Sequence, residues 1–230
     1  MNSFFGCINQ KLYHQNTYSL KRIKYRKTKE FEIMGQMGLN DNQEAWAPES
    51  ALDILLALLY CEGAGGQIGE NIEGITRLDK IMFLLSESEE FRDIIEKGYN
   101  FEADNFGPFA PELFDDIEAL KQENIVQVVS RRIPRRQIEV ADESSVIDPL
   151  EDDEPSDTAF SVSKYQLTKE GLEISKLIYN GLTPDQKTKL IQVKKTWQNR
   201  NLSDLLHYIY TKYPKTTEKS KIRRQVLSRR

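Results

Sequence analysis

Cysteine and histidine are scarce in this chain of 230 residues, which has two of each: Cys7 and Cys61, His14 and His207. The cysteines stand 54 positions apart with no CxxC or Cys/His cluster around them. That excludes a disulfide scaffold and leaves a structural zinc site without ligands. It also fits reduced thiols in a cytoplasmic setting. Long apolar runs are missing too. The densest, Ala51 to Tyr60, is interrupted by Asp53 and falls far short of the ~20 residues of a membrane span. At the N-terminus, Phe4, Phe5, Cys7 and Ile8 are broken by Gly6, so no signal-peptide core is present. No metal, cofactor or membrane contact is expected.

What the chain does carry is charge, in opposed blocks. The formal total is −4. Residues 1–36 count +5, residues 37–130 count −15, residues 131–140 count +3, residues 141–157 count −8, and residues 185–230 count +10. Residues 1–44 are expected to be a basic, disordered N-terminal extension. Met34 and Met37 stand shortly before the first strong helix and are candidate translation starts. Residues 141–158 read as a disordered acidic insertion, with eight acids, no bases and two prolines over 141–157.

Between these lies a helical pattern. Ala47-Pro48-Glu49-Ser50 opens a helix whose leucines occupy nearly all faces, so it is expected to be central. It stops at Gly63-Ala64-Gly65-Gly66. This run matches neither GxGxxG nor a phosphate loop and follows a helix where such loops follow a strand, so it reads as a helix–helix connection. Thr76 is expected to cap the next helix, with Asp79 completing a capping box. After a short helix at 91–96 and an aromatic extended stretch come Phe106-Gly107-Pro108-Phe109 and Pro111. The prolines fix a turn at Gly107-Pro108 and start a helix over 112–123. Asn124 is expected as its left-handed terminus, followed by a strand from Ile125. A second strand over 160–167 leads to a helix capped by Thr168. Helices follow from Thr183-Pro184 and from Leu202, and the tail from Lys215 reads as basic and frayed.

The implied fold is mainly α with a small β-hairpin, an α+β class. Helix, helix, strand, long loop, strand, helix is the layout of a winged helix whose wing is enlarged by the acidic insertion. The domain reading is a winged-helix-like body over 45–182, a helical pair over 183–214 packed on it, and a basic tail over 215–230.

Three segments resemble a known family. Leu78-Asp79-Lys80-Ile81-Met82-Phe83-Leu84-Leu85 is similar to the opening helix of phage-associated proteins with a Panacea domain. Phe106-Gly107-Pro108-Phe109 looks like that family's Gly-Pro turn, and Tyr165-Gln166-Leu167-Thr168-Lys169-Glu170-Gly171 resembles the strand-to-helix junction of winged-helix regulators. The resemblance covers roughly residues 75–210. It implies a small, largely helical, antitoxin-like protein that binds a toxin-like partner or neighbouring gene product, and it brings no catalytic residues. The acidic insertion, Phe109 within the turn and the basic C-terminus depart from the family pattern.

Two surfaces are candidate sites. The helix after the Gly-Pro turn carries Glu112, Asp115, Asp116 and Glu118 before a lone Lys121, a poor set for reading DNA and a better one for a basic protein partner. The alternative is nucleic acid. It would meet Arg131, Arg132, Arg135 and Arg136 on the wing, with Lys194, Lys195 and Arg200 from the C-terminal block. The acidic insertion is expected to compete for the wing arginines, and a homodimer mate is another receiver of the basic block. Trp197 and Tyr208, Tyr210 and Tyr213 read as packing before base stacking. No nucleophile, acid–base pair or metal constellation is visible, so the chain is read as non-enzymatic.

Overall fold

The computed structural model describes residues 45–134 and 159–228. Ser50 caps the first helix, α1 (Ala51–Tyr60): its side chain accepts from the Asp53 N–H while the Asp53 carboxylate accepts from the Ser50 N–H, the reciprocal pairing of a capping box. Every residue of α1 is buried, as the all-round apolar pattern requires.

A two-residue strand, β1 (Ile72–Glu73), separates α1 from α2 (Ile75–Ser86). So short a strand leaves no alternation to read, and the connection looked like loop. The expected capping box is absent: α2 starts from Gly74, which makes no side-chain cap, and Thr76 and Asp79 face the interior. All of α2 is buried.

A short helix, α3 (Arg92–Ile95), precedes a two-stranded hairpin of β2 (Glu102–Asp104) and β3 (Gly107–Phe109). Gly107 and Pro108 are therefore strand residues, paired with Asp104 and Ala103, and the reversal lies at Asn105-Phe106. Gly107 is needed for two reasons. Its φ is +91°, and a Cβ there would stand 3.0 Å from the Tyr210 ring.

Pro111 then takes the first position of α4 (Pro111–Gln122), as its fixed φ favours. Asn124 has φ 56° and ends the turn in the left-handed region. Two long strands, β4 (Val126–Pro134) and β5 (Ala159–Leu167), pair antiparallel from Val126↔Leu167 outward, and β1 adds to the far side of β5. The sheet order is β1-β5-β4. Thr168 caps α5 (Lys169–Asn180), where Gly171 lets the helix press against the Ile125 carbonyl; a Cβ would collide with it.

A second capping box, Thr183 with Gln186, starts α6 (Pro184–Trp197), and α7 (Leu202–Lys212) follows. Leu190, Trp197, Leu205 and Ile209 of this pair join the core formed by α1 and α2. The segment expected to fray folds back instead. A 3₁₀ turn (Pro214–Thr217) and α8 (Arg223–Leu227) bury Thr217 and Val226. The Lys221 N–H and the Ser220 hydroxyl both donate to the Asn105 carbonyl at the hairpin turn (2.9 and 3.0 Å). The architecture is mainly helical with a small antiparallel sheet. The N-terminal extension, the acidic insertion, Arg135 and Arg136 lie outside the described residues.

The hairpin is tied to α2 by a buried ion pair. Lys80 Nζ donates to Asp79 Oδ2 and to the Pro108 carbonyl (both 2.7 Å), and the Ala110 N–H donates to Asp79 Oδ1 (3.3 Å). Both side chains are fully inaccessible. Removing one member leaves an uncompensated charge in the interior, so Lys80→Met should destabilise the fold by about 3–5 kcal/mol. Lys121→Met, which breaks the exposed pair with Glu118, should cost less than about 1 kcal/mol. Urea titration of both variants checks this; similar costs would contradict the role given to Lys80.

Candidate functional site

Leu113, Ile117 and Leu120 of α4 point into the core at helical spacing, and Asp116 falls within their stripe. The four carboxylates therefore do not share one face. Asp116 is only 7% exposed, and its Oδ2 accepts from the Tyr99 hydroxyl at 3.0 Å. Burial, reinforced by the charges of Asp115, Glu112 and Asp53, pushes the Asp116 carboxyl up to about 7. Tyr99 is pushed well above its ordinary range by burial and by Asp116. Glu112 is half-buried at the edge, its enclosed Oε2 without a hydrogen-bond partner among the described residues, and burial raises its pKa as well. Asp115 and Glu118 remain exposed, with Pro111 and Gln122 completing an outward stripe. Lys121 donates to Glu118 at 2.7 Å. Of the four acids, Asp115 and Glu118 thus face outward, Glu112 lies beside them at the edge, and Asp116 is an interior group.

The basic set divides similarly. Arg131 and Arg132 are exposed on β4. Arg131 Nη2 lies 3.3 Å from Glu73 Oε1, and Lys164 Nζ lies 3.5 Å from Glu73 Oε2, so one carboxylate on β1 holds cations from both longer strands. Lys194 is no surface cation. It is fully buried and donates to the Leu59 and Cys61 carbonyls (3.0 and 2.9 Å), closing the C-terminal end of α1. Desolvation pulls its pKa down to about 8. Helical spacing places it one residue from Val193 and three from Trp197, on the core side. Lys195 is exposed and pairs with Glu62. Arg200 is exposed and lies 5.4 Å over the Trp197 ring.

The glycine-rich loop forms a nest of N–H donors that the chain fills itself. The Gly65 and Gln67 N–H groups donate to the Glu70 carboxylate (3.0 and 2.7 Å), and the Ala64 N–H donates to Gln198 Oε1 (2.8 Å). Hydrogen bonds from the Gln67 and Gly65 backbone hold Glu70 below its ordinary pKa. Sequence reasoning passed over Glu70, Tyr99, Asp79 and Lys80 as site-building residues. Tyr99, Asp79 and Lys80 are revealed by contacts with other elements, at Asp116, Ala110 and Pro108, whereas Glu70 binds N–H groups of its own loop. Among the described residues no cluster of three or more His, Cys, Asp or Glu could hold a metal ion, and no helix is long and apolar enough to cross a membrane. Compared with family models, curated proteins and solved structures, the chain matches none.

Asp116 couples this region to pH. Its carboxyl rises from an ordinary 3.8 to about 7, so between those values the folded state binds more protons than the unfolded one. Stability therefore falls as pH rises through that window. Asp116→Asn keeps a polar group beside Tyr99 and removes the titration. Urea unfolding at pH 4.5 and 7.5 should show the native chain losing stability relative to the variant; parallel behaviour would contradict the assignment.

Proposed function

We propose that the chain is a non-enzymatic, winged-helix-like interaction module that captures a basic protein partner on the outward face of α4. The order α1, β1, α2, α4, β4, β5 with the sheet order β1-β5-β4 supports the winged-helix reading. In it, α3 and the β2–β3 hairpin are inserted before the third helix, and β4 and β5 are the wing. On that reading α4 corresponds to the helix that enters the major groove in such folds.

The carrying observation is the charge of that helix. Its outward stripe presents Asp115 and Glu118, and its one lysine is already paired with Glu118. Such a surface repels phosphates and complements lysine or arginine side chains. An antitoxin-like role toward a toxin-like partner or neighbouring gene product accords with the Panacea resemblance of the Leu78–Leu85, Phe106–Phe109 and Tyr165–Gly171 segments.

The second reading, a DNA-binding regulator, is favoured by Arg131 and Arg132 standing exposed on the wing just before Arg135 and Arg136. It loses Lys194 to the interior. The double charge reversal Asp115→Lys with Glu118→Lys separates the two readings, since both positions are exposed. Capture of the neighbouring gene product should fall at least about tenfold, the size of losing close interfacial charge pairs. Sequence-specific DNA binding that the double variant leaves unchanged, in a salt-titrated assay, would overturn the primary reading.

A further inference from the structure

A groove of about 370 Å³ opens between the C-terminal end of α2, one side of α6 and the C-terminal half of α7. That volume is within the range of small-ligand sites, about 300–1,000 Å³. Among the described residues, none of α4 or of the wing strands lines it. Its wall is aromatic: the rings of Trp197 and Tyr208 meet at 4.9 Å with a 43° tilt, and Tyr208 is 36% exposed. Its rim is cationic. Lys189 comes from α6, Arg200 from the link to α7, and Lys212 from the last turn of α7, against one carboxylate, Glu87, among the described residues.

The placement of these cations has a local logic that does not exhaust them. Arg77 from α2 donates to the carbonyls of Trp197 and Arg200, so the exposed end of α6 is closed by another residue. The Arg200 side chain instead lies over the Trp197 ring at 5.4 Å. Lys212 Nζ donates to the Tyr208 hydroxyl at 3.0 Å and stands 5.2 Å from the Tyr213 ring centre. Those two tyrosine contacts raise its pKa. Lys189 reaches Glu90 only at 4.0 Å. A positive concavity with an accessible aromatic ring, in a chain of net charge −4, is complementary to a flat ring bearing an anionic group.

We propose that this groove binds a nucleotide unit, with the base stacked on Tyr208 against Trp197 and the phosphate held by Arg200, Lys212 and Lys189. Stacking tolerates any base because each has a π face, whereas the phosphate supplies the charge the rim requires. The unit has two sources, a free mononucleotide or one residue of a single strand, and both present the same chemistry.

Calorimetric titration of the full chain with AMP, adenosine, inorganic phosphate and an oligoadenylate of about ten nucleotides tests this. AMP should bind saturably, at least tenfold more tightly than adenosine or phosphate, and more weakly as salt rises. Tyr208→Ala should weaken it by about tenfold, the scale of one base–aromatic stack, and Lys212→Met should lower both the affinity and its salt dependence, with the far-UV spectrum of each variant staying native. A strand that binds more tightly than AMP and suffers the same losses identifies single strands as the source. Equal affinities identify the free nucleotide. Absence of saturable heat with either, phosphate matching AMP, or both variants retaining full affinity would overturn the proposal. The Asp115→Lys, Glu118→Lys double variant should bind AMP normally, so failure here and failure of the α4 reading are distinguishable.

Discussion

The position of α4 depends on the buried pair of Asp79 and Lys80. The two residues are adjacent in sequence and fully enclosed, yet they reach across to the hairpin and the start of α4. Lys80 holds the carbonyl of Pro108, and Asp79 holds the N–H of Ala110, which is the residue capping α4. Enclosing two charges is costly, and the cost is offset only when geometry and extra hydrogen bonds are good. Here both ions find backbone partners on one short segment, so the arrangement specifies where that segment docks. Lys194 does for the end of α1 what Lys80 does for the hairpin, satisfying carbonyls that would otherwise be buried without donors.

The sequence pattern revealed those features that repeat. The all-round apolar α1, Pro111 at the start of α4, Asn124 in its left-handed conformation, and the strand pair beginning at Val126 and ending at Leu167 all follow from period, cap or turn chemistry. Features that depend on one long-range partner stayed hidden. Asp116 looked like one carboxylate among four, although its spacing from Leu113 and Ile117 already placed it inward. Lys194 looked like one cation in a basic block, although it adjoins Val193. Both were grouped by charge where helical geometry should have separated them. The strand β1 has only two residues, and its pairing to β5 exists only in the fold. The C-terminal segment gave a composition that reads as tail, but Ser220 and Lys221 dock on Asn105.

Charge, sorted by exposure, gives the molecule two unlike surfaces. The α4 stripe is acidic and narrow, and its inner neighbour Asp116 titrates near neutrality because burial withdraws it from water. The groove at α2, α6 and α7 is cationic and aromatic. A small net charge conceals this division, which suits a basic partner at one place and an anionic ring at the other. The two surfaces share no residue, so occupancy of one need not exclude the other.

The claim with the widest consequence is that α4 meets a partner through Asp115 and Glu118. Zero-length carbodiimide cross-linking joins a carboxylate to an amine in direct contact, and can be applied to the full chain mixed with its neighbouring gene product. The account predicts peptides in which Asp115 or Glu118 is linked to partner lysines. A cross-linked complex whose joined carboxylates all lie outside α4 would contradict it.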